Sequence, residues 1–111
     1  MVNHMVNLDS AFHALADPTR RAVIARLIKG PAAVKDLAAP FGMTLPAILK
    51  HLRVLEASGL IGTEKAGRSR ICRINPERLA QAEDWLSQQR AVWEGRTDRL
   101  TAYAETLARK T

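Results

Sequence analysis

Thr44, Ala47 and Lys50 recur at intervals of three within an otherwise apolar segment, and their chemistry suits a nucleic-acid groove. A threonine hydroxyl can donate to a phosphate or a base edge, an alanine methyl can touch a thymine methyl, and a lysine ammonium can meet a phosphate or a base. Each also has a plainer use: Thr44 as a helix cap, Ala47 as a helix former, Lys50 as a solvated charge. Pro46, His51 and Arg53 stand beside them. His51 can donate to a phosphate or pack against the segment that follows, and no partner ligand near it in sequence supports a metal site. Further on, Lys65, Arg68, Arg70 and Arg73 surround Gly67. Long cations at such a tip can enter a minor groove or neutralise phosphates. The same charges can also protect an exposed hairpin edge from aggregation.

The charge distribution singles out this region. Residues 44–74 carry six Lys/Arg and two Asp/Glu, a net of +4, within a chain of net +6. Residues 1–43 carry a net of +2 and residues 75–111 a net of zero. Such a balance points to an acidic partner, either nucleic acid or an anionic surface. Reaction chemistry has little to work with. There is no Ser/His/Asp set, no Gly-rich phosphate loop and no pocket-like group of carboxylates, so no enzyme is expected.

Length and composition set the frame. A chain of 111 residues that is 47% hydrophobic and 25% charged predicts one globular domain spanning 1–111. One cysteine makes no internal disulfide and no multi-cysteine zinc site. No apolar run approaches the roughly 18 residues of a membrane span. Met1 to Asn7 lack the pattern of a signal peptide, so a cytoplasmic location is expected.

Helices must position the groove-facing residues. Leu8, Phe12, Leu15 and Ala16 share one helical face, which stops before Pro18. Asp17 then caps a helix over Thr19 to Lys29, with Pro18 at its first position and Ala22, Val23, Leu27 and Ile28 facing inward. Gly30-Pro31 ends it, and a short helix over about Ala33 to Ala39 buries Val34, Leu37 and Ala38. After the turn Pro40-Phe41-Gly42-Met43, Thr44 caps a helix that tolerates Pro46 and runs to Ala57, with Gly59 as its stop. Leu60 to Lys65 and Arg70 to Asn75 form a hairpin around Ala66-Gly67-Arg68-Ser69. A last helix from Glu77 to Arg109 would reach about 50 Å if unbroken, with Gly95 as the place where it can kink or divide.

Within this order, Ala38, Gly42 and Ile48 have the spacing of a helix-turn-helix: a small residue at the crossing, positive φ in the turn, and an apolar anchor. With Ile48 at zero, Leu45, Leu52 and Leu55 fall at about 60°, 40° and 340°, one buried stripe. Lys50 falls at about 200°, facing outward among Pro46, Ala47 and Arg53. The expected fold is therefore mainly α with a small β-hairpin (α+β), a winged helix-turn-helix with a long C-terminal dimerisation helix. The motif occupies about 33–57, the wing about 60–75 and the last helix about 77–109.

These residues resemble a known family. Leu15-Ala16-Asp17-Pro18-Thr19-Arg20-Arg21 is similar to the start of the second helix in ArsR/SmtB-type winged-helix repressors. Met43-Thr44-Leu45-Pro46-Ala47, Lys50-His51-Leu52-Arg53-Val54-Leu55 and Gly59-Leu60 resemble its recognition helix and exit, and Gly67-Arg68 with Ile71 and Ile74 its wing. The resemblance covers roughly Phe12 to Leu79. It implies a homodimeric regulator that binds operator DNA and usually represses, with Thr44, Ala47, Lys50 and His51 as readers and Arg68 in the wing. Many members carry a small polar residue where this chain has Leu49, so that position makes no hydrogen bond here.

The resemblance also implies release by a metal or another signal. The cysteine pair of metal-responsive members is absent from Ala33-Val34-Lys35-Asp36-Leu37, the last helix has no histidine, and His4 and His13 lie nine apart. No metal and no cofactor are expected, which leaves an effector of unknown identity. Cys72 can be a redox sensor, its pKa lowered by a neighbouring arginine, or a small half-buried strand residue. Leu79, Leu86, Trp93, Leu100 and Leu107 recur every seven residues. Their stripe packs on the body or on a second copy, and the helix is too long for so small a body to cover. Leu8, Phe12, Leu86, Trp93, Leu100 and Leu107 are thus the expected dimer contacts. The partners expected are double-stranded operator DNA and a second copy of the chain, with no membrane role, since the last helix lacks a basic face. A winged-helix module that binds a protein without specific DNA binding is the alternative.

Overall fold

The computed structural model describes the backbone of residues 2–110 and the side chains of residues 8–110. Helix α1 spans Val2–Leu15 and α2 spans Pro18–Ile28. Strand β1 (Ala32–Ala33) leads into α3 (Val34–Ala38), and a 3₁₀ turn (Ala39–Phe41) leads to α4 (Leu45–Ala57). Strands β2 (Ile61–Ala66) and β3 (Ser69–Ile74) form the hairpin, and α5 runs from Pro76 to Lys110. This is the mainly α winged helix-turn-helix expected, with one element that the sequence did not announce. Ala32 and Ala33 pair with Cys72 and Ile71, making a three-stranded antiparallel sheet in the order β1-β3-β2. Two alanines show no alternation, so periodicity carries no trace of this strand.

The core lies between α1–α4 and the base of the sheet. Val23, Leu27, Leu37, Ile48, Leu55, Leu60 and Cys72 are its largest fully buried side chains. In α2 the inner face is Val23, Ile24 and Leu27; Ala22 and Ile28, expected inside, are exposed. At 100° per residue both lie about 90° or more from the centre of that face. In α1 the small residues Ala11 and Ala14 are buried, Leu8, Phe12 and Leu15 are half-buried, and Ala16 lies exposed beyond the helix end. Alanines there let α1 approach its neighbours closely.

The start of α2 shows why Asp-Pro-Thr-Arg-Arg closes one helix and opens another. Asp17 Oδ2 accepts the Arg20 backbone N–H at 3.0 Å, and Pro18 occupies the first turn, where its missing N–H costs nothing. Arg20 Nε donates to the Ala14 carbonyl and Arg21 Nη1 to the Leu15 carbonyl, both at 2.7 Å. Two cations therefore satisfy carbonyls at the α1 C-terminus, where the helix dipole favours positive charge. The end of α4 is tied as firmly. Buried Ser58 donates to the Leu55 carbonyl at 2.7 Å and accepts the Leu60 N–H at 3.3 Å, and the chain then turns into β2.

Helix α5 is unbroken across its 35 residues, continuing through Gly95. Its length of about 52 Å accounts for most of the 75 Å long axis. Among the described residues, its first turns are the part that meets the body. Ala82 is buried, Leu79 packs against the core, and the Trp85 ring meets Phe12 edge-on at 5.8 Å. Phe12, Leu15, Leu79, Ala82 and Leu86 line an open apolar groove of about 630 Å³ between α1 and α5.

Candidate nucleic-acid interface

The turn between α3 and α4 is closed by Gly42 at φ 61°, a left-handed conformation that glycine adopts without steric cost. Thr44 caps α4, its Oγ1 accepting the Ala47 N–H at 3.4 Å. Ile48, Leu52 and Leu55 face the core, so Thr44, Pro46, Lys50 and Arg53 face solvent with Ala47 half-buried among them. Leu45 departs from the expected stripe and is 50% exposed. It occupies the first position of the helix, past the edge of the core, where an inward angle meets nothing to pack on.

The wing projects from the same side of the motif, and a shallow cavity lined by Leu45, Leu49, Arg68 and Arg70 separates its tip from α4. Ala66 pairs with Ser69, which leaves Gly67-Arg68 as a two-residue loop. Gly67 has φ 64° and no other residue type has positive φ among the described residues, the pattern of a type II′ turn. That turn places Arg68 at the outermost point, with Lys65 exposed beside it.

Intramolecular partners divide the six cations of this region into two groups. Arg73 Nη2 lies 2.7 Å from Glu64 Oε1, with its Nε at 2.8 Å from the same oxygen. Arg70 Nη1 donates to Thr63 Oγ1 at 3.1 Å, and the Thr63 hydroxyl donates to Glu56. Lys50, Arg53, Lys65 and Arg68 have no ion pair and no side-chain hydrogen bond among the described residues. The +4 of residues 44–74 thus rests on four named side chains, two on α4 and two on the wing.

His51 turns back toward α2. Its Nδ1 lies 3.4 Å from Arg20 Nη1 and 3.7 Å from Asp17 Oδ2. The Arg20 backbone hydrogen bond, with smaller help from the Arg20 charge and the His51 ring, holds the Asp17 carboxyl below its ordinary pKa against the opposing effect of burial. The ring faces the α2 cap rather than the hairpin considered for it. Arg20, to which the sequence assigned no role, joins the α1 carbonyls to α4 through His51. Its signal was a cation just past a helix C-terminus.

Cys72 is fully buried between β1 and β2, opposite Ala32 and Thr63. Burial pushes its thiol pKa up, the Glu56 charge adds to this, and Arg70 opposes it without prevailing. The lowering by a neighbouring arginine considered from the sequence is thus overturned. In the folded chain Cys72 is expected to react with a thiol reagent such as DTNB at under about a tenth of its rate after unfolding in guanidinium, as for an inert buried cysteine. Equal rates in the two states would contradict this placement. Among the described residues no group of three or more His, Cys, Asp or Glu side chains is placed to hold a metal ion. His4 lies outside the described side chains, and among the described residues no helix is long and apolar enough to cross a membrane.

A second surface runs along α5. Leu86, Trp93, Leu100 and Leu107 are exposed, as are Trp85, Val92 and Tyr103, while Leu8 and Phe12 are half-buried at its root. Trp93 is 67% exposed and Leu100 64%, values that leave most of each side chain in water.

Comparison with known proteins agrees with this geometry. Residues 15–64 match a family model described as a helix-turn-helix domain. The chain is 38% identical over 99 residues to the HTH-type transcriptional regulator Rv2034 of Mycobacterium tuberculosis, covering 89% of this chain and 87% of that one. The crystal structure of the ArsR family transcriptional regulator RHA00566 superposes with a TM-score of 0.75 at 52% identity, covering 79% of this chain and 97% of that one. At 22% identity and a TM-score of 0.62, the fold is also that of Mb0332 from Mycobacterium bovis, covering 82% of this chain and 83% of that one. Mb0332 is described as a homodimeric winged helix-turn-helix DNA-binding domain and a possible ArsR-family regulator.

Proposed function

The chain belongs to the ArsR/SmtB family of winged helix-turn-helix transcriptional regulators, and on that premise we propose that it binds double-stranded operator DNA as a homodimer and represses transcription in the cytoplasm. The observation that carries the reading is the placement of unpaired cations. Lys50 and Arg53 stand on the solvent face of α4, and Lys65 and Arg68 at the end of a wing on the same side of the motif. Helix α4 fits a major groove, with Thr44, Pro46, Ala47 and Lys50 toward the bases and Arg53 toward phosphate. The wing then reaches the adjacent minor groove through Arg68, with Lys65 on the backbone. Arg70 and His51 hold intramolecular partners in the free chain, so either would contact DNA by exchanging those partners.

The dimer rests on α5. Its distal half carries Trp93, Leu100 and Leu107 into solvent, and this stripe continues from the groove lined by Phe12 and Leu86. A second copy would cover both surfaces and present two recognition helices to half-sites about one DNA turn, or roughly 34 Å, apart.

The test is selection of bound sequences from random double-stranded DNA, followed by gel shift on the selected site. A pseudo-palindrome is expected. Lys50→Ala and Arg68→Ala should each weaken binding by at least about fivefold, the lower end of a lost groove contact. If neither variant weakens binding, the contact map is wrong. A winged-helix module that binds a protein would instead select no sequence.

A further inference from the structure

Glu56, Thr63 and Arg70 come from three separate elements: the last turn of α4, the middle of β2 and the start of β3. The Thr63 hydroxyl donates to Glu56, and Arg70 Nη1 donates to Thr63 Oγ1 at 3.1 Å. Thr63 pairs with Cys72 across the ladder, so Arg70 is its diagonal neighbour on the same face, within reach of a long side chain. The three polar groups wall a cavity of about 360 Å³ between wing and helix, lined also by Val34, Leu49 and Leu52.

The position of this link along the hairpin matters. Leu60 and Ile61 are buried at the base of the wing, whereas Glu64 through Arg68 are all exposed. Thr63 is therefore the last residue of β2 that ties the hairpin to α4 before the free tip. We propose that Glu56 and Thr63 are positioning residues for the DNA contact: they fix the wing tip relative to the recognition helix, so that Arg68 and Lys50 engage one duplex together. The role rests on the DNA-binding reading above. Exposed polar pairs add little to global stability, so the strap acts on wing geometry and leaves the fold standing.

Thr63→Val removes the hydroxyl and keeps the branched shape. In the free protein, amide exchange of residues 64–69 is expected to quicken about tenfold, with exchange at Val23 and Leu52 unchanged. Operator affinity should fall about fivefold, and Arg68→Ala, costing about tenfold alone, should cost under about twofold on the Thr63→Val background. Glu56→Gln, with Thr63 intact, keeps an oxygen that accepts the Thr63 hydroxyl and should retain both the affinity and the roughly tenfold Arg68→Ala cost of the unmodified chain. The proposal is overturned by unchanged wing exchange in Thr63→Val, by an Arg68→Ala cost equal in both backgrounds, or by tighter binding of Thr63→Val, which would make the strap a competitor for Arg70. Failure of the unmodified chain to bind any DNA would overturn the functional reading and the role resting on it, while the exchange comparison would still report on the strap itself.

Discussion

Raising the salt concentration from about 50 to 200 mM should weaken operator binding by the proposed dimer on the order of 10⁴-fold. The salt dependence counts backbone charges offset, whether the cation sits at base edges in a groove (Lys50, Arg68) or on a phosphate (Arg53, Lys65). Four cations per protomer, Lys50, Arg53, Lys65 and Arg68, have no intramolecular partner among the described residues, which makes eight in a dimer. Each phosphate neutralised releases condensed counterions, and the slope of log affinity against log salt is then about −7. Arg70 and Arg73 are held by Thr63 and Glu64 and do not enter this count. If they gave up those partners to DNA, the slope would steepen to about −11. Fluorescence anisotropy titrations at four or five salt concentrations separate these values. A slope shallower than about −3 would mean that the wing and α4 do not engage the backbone together.

Trp93→Asp should turn the dimer into a monomer at micromolar concentration and reduce palindrome binding by about 10³-fold, because a dimer binds its second half-site at high effective concentration. Trp93 is 67% exposed in the single chain, so the substitution costs the isolated fold little. Across a dimer interface the same aspartate is a desolvated charge without a partner, at a cost of several kcal/mol per copy, roughly the scale of a buried ion left unpaired. Light scattering on a sizing column reads the mass, and far-ultraviolet circular dichroism checks that the helices remain. A variant that stays dimeric would move the interface off the α5 stripe, whatever its DNA affinity.

How much of this was legible in the sequence depended on whether the signal was local. The Asp17 cap, the Gly42 turn and the Thr44 cap were readable because each depends on one residue and its immediate neighbours, whereas the wing tip, read as the four residues Ala66 to Ser69, is closed by the Ala66–Ser69 pair to Gly67-Arg68. The outward face of α4 was readable because Ile48, Leu52 and Leu55 repeat at the helical period. Burial at the ends of helices was not: Leu45 and Ile28 sit at the right composition but past the edge of the core. Strand β1 is invisible locally because only its partner on β3 makes it a strand. The electrostatic partition failed to show for the same reason. Glu64 and Arg73 are nine residues apart and Glu56 and Thr63 seven, and only the folded placement of the hairpin gives Glu64 its arginine and Glu56 its hydroxyl. Counting charges gave the right total for residues 44–74, but pairing decided which four side chains hold it.

The two-residue loop at the wing tip also bears on how this surface can change over generations. Gly67-Arg68 closes a ladder in which Ala66 faces Ser69 and Lys65 faces Arg70. Inserting or deleting one residue there either forces a bulge or slips one strand by a residue, and a slip moves every side chain on it to the opposite face. Cys72 would then leave the core and the face that carries Ile71 and Arg73 would turn toward it. The wing is thus closed to drift in length but open to drift in identity. On the proposed contacts, single replacements at positions 65 and 68 would retune the target site, while the turn that carries them stays fixed in size.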